Sequence, residues 1–188
     1  MELQRFGVKL FFNRNGSYSS KDFLPVFHGW IQDKVVSDHL LIDVADYSHI
    51  PDGPGVMLIA HEGHFSLDQE NLQPGIMYMR KTDIRGDFNG RFINVLSTAI
   101  KAANRLCDNK INKEVDFIRN SFRFIANDRR VAENTLENQK LYKNGVQKAL
   151  IELYPTCEVK YEDISRENER LAFTVNFNKD INILEKNY

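Results

Sequence analysis

Residues 40–68 read LLIDVADYSHIPDGPGVMLIAHEGHFSLD, and the fold turns on how this stretch is divided. Leu40 to Asp46 has the β-branched and aliphatic character of a strand. Pro51-Asp52-Gly53-Pro54-Gly55 is the tightest turn signal in the chain and returns it into a second, longer strand over Val56–Asp68. Strict alternation along that strand places Val56, Leu58, Ala60, Glu62, His64, Ser66 and Asp68 on one face. Met57, Ile59, His61, Gly63, Phe65 and Leu67 fall on the other, with His61 the polar exception. The pattern predicts the start of an antiparallel meander.

Moving outward, Pro74-Gly75 breaks the chain and Gly75–Lys81 supplies a third meander strand. Upstream, the aromatic run FGVKLFFN over Phe6–Asn13 predicts a first strand, closed by a turn at Asn15-Gly16-Ser17. The segment SSKDFLPVFHGWIQDK then predicts a helix. Ser19 or Ser20 caps it, Asp22 favours its positive end and Pro25 fits its first turn. Phe23, Val26, Phe27, Trp30 and Ile31 form its apolar stripe, with His28 half-buried beside it. Gly29 inside that stripe suggests close packing by a neighbour.

Downstream of the meander, Phe92, Val95, Leu96, Ala99, Ala102, Ala103 and Leu106 recur at three and four, a helix capped by Asp87 or Asn89. Ser121–Arg129 alternates Phe122, Phe124 and Ala126 against Arg123, Ile125 and Asn127, the pattern of a strand. Asn134-Thr135-Leu136-Glu137 predicts a capping box that opens a helix running to about Tyr154. Pro155 stops it. Two last strands, near Cys157–Asp163 and Leu171–Asn178, are joined by the charged turn SRENER. The expected order is βαβββαβαββ: one α+β domain over residues 1–188, a mostly antiparallel sheet with its helices packed on one face, and a loose tail over 181–188.

Composition narrows the function classes without naming one. With 42% hydrophobic and 27% charged residues the 188-residue chain is an ordinary globular sequence with one core. No apolar run approaches the ~18 residues that span a bilayer, and the N-terminus lacks signal-peptide order, so a cytoplasmic protein is expected. Cys107 and Cys157 are too few for a disulfide scaffold and have no metal spacing.

Charge is segregated along the chain. Residues 35–79 hold seven Asp and Glu and no Lys or Arg, while residues 80–130 hold twelve basic against six acidic residues. The expectation is that the two blocks lie together and neutralise each other. Nucleic-acid binding is disfavoured, because the whole chain is near neutral and Phe122 and Phe124 alternate as a core face would.

The chemistry-bearing residues cluster in the acidic block, which also holds four of the five histidines. His61-Glu62-Gly63-His64 resembles half of a metalloprotease motif, but its histidines are three apart on a strand and point to opposite faces. A bulge at Gly63 would bring them together. Asp43, Asp46, His49 and His61, bounded by Arg129, form the candidate ligand site. His61, His64, Asp43 and Asp46 form the candidate site for a divalent metal, with Glu62 as general base of a hydrolase. Gly53-Pro54-Gly55 leads into a strand with no cation nearby, so it is a turn and not a phosphate cradle. No Gly-x-Ser-x-Gly elbow occurs, and neither cysteine has a nearby histidine. Asn127-Asp128-Arg129-Arg130 stands out as a polar cluster at a strand end, where ligand groups often sit.

IDVADYSHIPDGPGVMLIAHEGHFSLD and IANDRRVAENTLENQ resemble segments of an uncharacterised family of bacterial proteins of about this length. The resemblance extends from the helix containing Phe27-His28-Gly29-Trp30 to the terminal hairpin. It implies a single domain and a bacterial cytoplasmic origin, and it transfers no catalytic residue. The leading expectation is thus a protein that binds a small ligand or a protein partner without catalysis and without a cofactor. A metal-assisted hydrolase and a structural homodimer built on a sheet edge or the Phe-rich face are the rivals.

Overall fold

A computed structural model describes residues 2–13, 19–50, 53–108, 115–164, 168–178 and 183–185. Eight strands form a single sheet: β1 (Phe6–Phe12), β2 (Leu41–Tyr47), β3 (Gly55–Ala60), β4 (Gly63–Asp68), β5 (Gly75–Arg80), β6 (Phe117–Ala126), β7 (Val159–Asp163) and β8 (Ala172–Phe177). Their spatial order is β2-β3-β4-β5-β1-β6-β8-β7, and every neighbouring pair runs antiparallel. Three helices accompany it: α1 (Leu24–Asp33), α2 (Phe88–Asp108) and α3 (Leu136–Leu153). The α+β architecture is that read from the sequence, with one strand more. The expected turn at Asn15-Gly16-Ser17, the Pro51-Asp52 half of the next turn, part of the SRENER turn and most of the C-terminal tail lie outside the described residues.

The additional strand comes from residues 56–68, which form a hairpin and not one long strand. The chain reverses at His61-Glu62, pairing Ile59 with His64 and Leu58 with Phe65. Neither turn residue is a usual hairpin former, so the side chain does the work: Glu62 Oε2 accepts from the Leu40 amide at 2.8 Å. The Glu62 carbonyl accepts from the amides of Lys81 at 2.9 Å and Thr82 at 3.2 Å. The reversal also changes the faces. Phe65 and Leu67 join Val56 and Leu58 in the core, while His64, Ser66 and Asp68 turn to the opposite side. Gly55, with φ of +61°, opens β3, and a Cβ there would collide with the Leu67 carbonyl.

Helix starts follow local chemistry. Ser19 and Asp22 form a reciprocal capping box ahead of a 3-10 turn that runs into α1. Asp87 Oδ1 accepts from the Gly90 amide at 2.9 Å and starts α2. Thr135, and not the expected Asn134, caps α3, its Oγ1 accepting from the Asn138 amide at 3.2 Å. Two expectations for α1 are corrected. His28 is exposed, and nothing lies within 4 Å of a Cβ built on Gly29, so no close packing explains that glycine.

The sheet has two unlike faces. On one, Phe6, Val8 and Leu10 of β1, Phe122 and Phe124 of β6, and Phe173 and Val175 of β8 are fully buried with Phe92, Val95 and Ala99 of α2 and Val146 of α3. Aromatic rings tile it, with centroids of Phe6 and Phe124 5.5 Å apart and of Phe124 and Phe173 5.0 Å apart. The other face holds a small apolar cluster of Met77, Met79, Ile125 and Ala172, with Ile164 against it. Among the described residues no helix is long and apolar enough to cross a membrane.

Candidate functional site

The side chains of the helix-free face follow the strand register. Cross-strand partners share a face, so one row runs Ser66, Met77, Lys9, Arg123, Thr174, Glu162 across β4, β5, β1, β6, β8 and β7. Five of those six come from alternation alone, since each lies between two core residues of its own strand. Lys9 and Arg123 are therefore immediate neighbours, and both are buried, at 0% and 3% exposure.

Two adjacent buried cations need compensation. Asp68 ion-pairs with Lys9 and also accepts from the Glu70 amide at 3.2 Å. Burial pulls the Lys9 ammonium below its ordinary pKa, and the Arg123 charge adds to that pull, while Asp68 opposes both. Arg123 is less well served. Its Nη2 donates to the Gln73 side-chain oxygen, and its guanidinium carbon sits 5.2 Å from the Phe11 ring centroid. Its Nε and Nη1 are buried without any hydrogen-bond partner. The three N–H groups on those two nitrogens are thus unused. Burial lowers the Arg123 pKa from its ordinary value, and the charges of Glu70, Asp68 and Glu162 counteract that.

Arg123 opens onto a cleft in two chambers. The larger, about 740 Å³, runs over β6, β8 and β7 and is bordered by Phe11, Gln73, Ser121, Thr174 and Asn176. The smaller, about 270 Å³, collects Arg123, Arg129 and Arg170 with Glu70 and Glu169. Arg123, Asn71, Ile164 and Glu169 line both chambers and mark the junction. Asn71 and the 85%-exposed Leu72 hold left-handed backbone at φ of 58° and 54°, which shapes the Glu70–Leu72 turn that walls the junction. Asparagine tolerates that conformation, whereas leucine is strained by it.

The residues singled out from the sequence are dispersed. Asp43, Asp46 and His49 belong to edge strand β2 and the turn after it, and His61 lies exposed in the β3–β4 turn instead of facing the core. Asp43 pairs with Ile59 and Asp46 with Val56, so the two carboxylates point to opposite faces. Asp43 and His64 do share the helix-free face, but β3 lies between them, a backbone separation of roughly 9–10 Å. Gly63 pairs in register with Arg80 and forms no bulge that would turn His61 and His64 together. Among the described residues no three His, Cys, Asp or Glu side chains form a metal-binding group. Arg129 alone of the sequence candidates borders the cleft, with four strands between β6 and β2. Sequence reasoning missed Arg123, although its alternation with Phe122 and Phe124 already placed it on the face away from the core.

The acidic block meets the basic block at Arg123, whose charge Glu70 and Asp68 favour, and elsewhere it serves the backbone. Among the described residues no ion pair joins it to the basic block. Its carboxylates hold backbone instead: Asp43 accepts from the Val44 amide at 2.8 Å and Glu62 from Leu40. Asp46 accepts from the Ser48 amide at 2.9 Å, and its hydrogen bonds from Ser48 hold its carboxyl below the ordinary range.

A further cavity of about 300 Å³ lies on the helix side between residues 35–39 and α2, bordered by His39, Lys101 and Arg105. There the His39 Nε2 is 2.6 Å from the Tyr78 hydroxyl, which also accepts from Arg80 Nη1 at 3.3 Å. Burial holds the His39 imidazole below its ordinary pKa. Both cysteines are free thiols. The chain matches no protein-family model and no curated protein.

Proposed function

We propose that the protein binds a small anionic ligand in the two-chambered cleft of the helix-free face, with Arg123 as its anchor. The observation that carries this is the Arg123 guanidinium, 3% exposed with Nε and Nη1 unpartnered, on a residue that borders a cavity of about 740 Å³. A buried polar group without a partner costs about 1–3 kcal/mol, and more when charged, which a bound oxyanion would recover through bidentate hydrogen bonds. Lys9 does not compete for the ligand, because Asp68 already satisfies it. The chamber size matches sites for small molecules. Among the described residues of the cleft, the one serine hydroxyl is engaged by Asn176 and not by a base, and the reading proposed is binding.

The test is a thermal-shift screen of inorganic phosphate, small carboxylates and organic phosphates against the wild-type chain and Arg123→Met. Anions that raise Tm in a saturable way in the wild type and leave the variant unmoved support the reading. Equal responses in both proteins, or none in either, count against it.

A further inference from the structure

The chemistry of the two chambers differs, and the difference says what kind of molecule spans them. Among the described residues, the larger chamber is lined by six uncharged side chains that can hydrogen-bond, Asn71, Gln73, Asn120, Ser121, Thr174 and Asn176, and by one cation, Arg123 at the junction. Amide and hydroxyl groups both donate and accept, as alcohols do, and so complement a hydroxylated surface. Ser121 Oγ already donates to Asn176 Oδ1 at 2.7 Å, which leaves the Asn176 amide N–H groups to point elsewhere. The side chains of Asn71 and Asn120 have no hydrogen-bond partner among the described residues. Phe11, Ile118 and Ile164 add apolar surface for the C–H faces of a ring or chain.

Glu162, Asp163 and Glu169 also border this chamber, and they disfavour a second negative group there. Asp163 is ion-paired with Lys143, and Glu162 and Glu169 are exposed, so their charge is screened toward solvent. The smaller chamber is the reverse: three arginines, Arg123, Arg129 and Arg170, face two carboxylates. An anionic head therefore belongs at the junction and in the smaller chamber, and a neutral polar body in the larger one.

Building on the anion-binding reading, we infer that the ligand is a polyol carrying one oxyanionic group at its end, the chemistry shared by a sugar phosphate and a sugar acid. The arginines hold the oxyanion, and the amide-lined chamber holds the hydroxyls.

Isothermal titration calorimetry on the full chain with five probes tests this: glucose 6-phosphate, gluconate, inorganic phosphate, glucose and phosphoserine. The expected result is that glucose 6-phosphate, gluconate or both bind at least tenfold more tightly than inorganic phosphate or glucose. Asn120→Ala, which touches only the larger chamber, should lower that advantage at least threefold while phosphate affinity stays within twofold. The two anionic probes separate a phosphate from a carboxylate head. If phosphate binds but neither anionic polyol exceeds it, the polyol inference is overturned and anion binding stands. Phosphoserine as the tightest probe overturns it in favour of an ammonium-bearing body. If no anion binds, the anion-binding reading fails as well.

Discussion

The two faces of the sheet solve burial in opposite ways. Toward the helices, Phe6, Phe122, Phe124 and Phe173 are buried by apolar partners on every side. On the far face Lys9, Asp68, Arg123 and Thr174 are also buried, yet among the described residues no helix packs on them. The first face is what a stable α+β domain requires. The second carries charge at a cost that hydrophobic residues would not incur. Alternation along one strand thus separates what stabilises the fold from what equips it for a ligand.

The sharpest way to break this comparison is at Asp68. Asp68→Ala leaves Lys9 buried without a counter-charge and should cost about 3–5 kcal/mol by urea denaturation. Lys9→Met combined with Asp68→Leu should recover most of that loss. A loss in the double variant as large as in the single one would show that the pair is not a closed unit.

Arg123→Met sharpens it from the other side. Removing a half-satisfied buried cation should raise stability by about 1–2 kcal/mol while abolishing the response to anions. A comparable destabilisation would instead make Arg123 structural.

The pH dependence is a smaller effect. Burial lowers the pKa of His39 and of His64, whose pull downward is reinforced by Lys81. Both groups bind fewer protons folded than unfolded, so their contribution is complete above the unfolded histidine pKa of ~6.5 and is lost as pH falls through the depressed folded values. The urea midpoint should fall between pH 7.5 and 5.5, and His39→Gln with His64→Gln should flatten that slope.

Gly29→Ala should be the mildest change. With open space at its Cβ, it should gain about 0.5–1 kcal/mol of helix stability and leave anion binding untouched.

These contrasts also show what the sequence disclosed. The helices, the meander and the β6 alternation were legible because 3.6- and two-residue periods reflect burial directly. The hairpin inside residues 56–68 was not, since His61-Glu62 has no turn signature and Glu62 stabilises the reversal through the distant Leu40 amide. That one reversal moved Phe65 inward and took His61 out to solvent. Among the site residues, Arg129 was legible as part of a polar cluster at a strand end. The cleft was not, because Lys9, Asp68, Gln73, Arg123 and Arg170 come from five separate places in the chain and meet only through the strand order β4-β5-β1-β6-β8. The dense run of histidines and aspartates lies on and beside β2 instead, where Asp46 accepts from the Ser48 amide in the turn after the strand.

The most direct test of the account is the Arg123 guanidinium itself, followed by its Nε–Hε signal in ¹⁵N–¹H spectra during titration with inorganic phosphate and with gluconate. The account predicts a saturable shift and slowed solvent exchange of that signal, at the concentration where ligand binding saturates. A signal that stays unmoved while an anion binds elsewhere would contradict it.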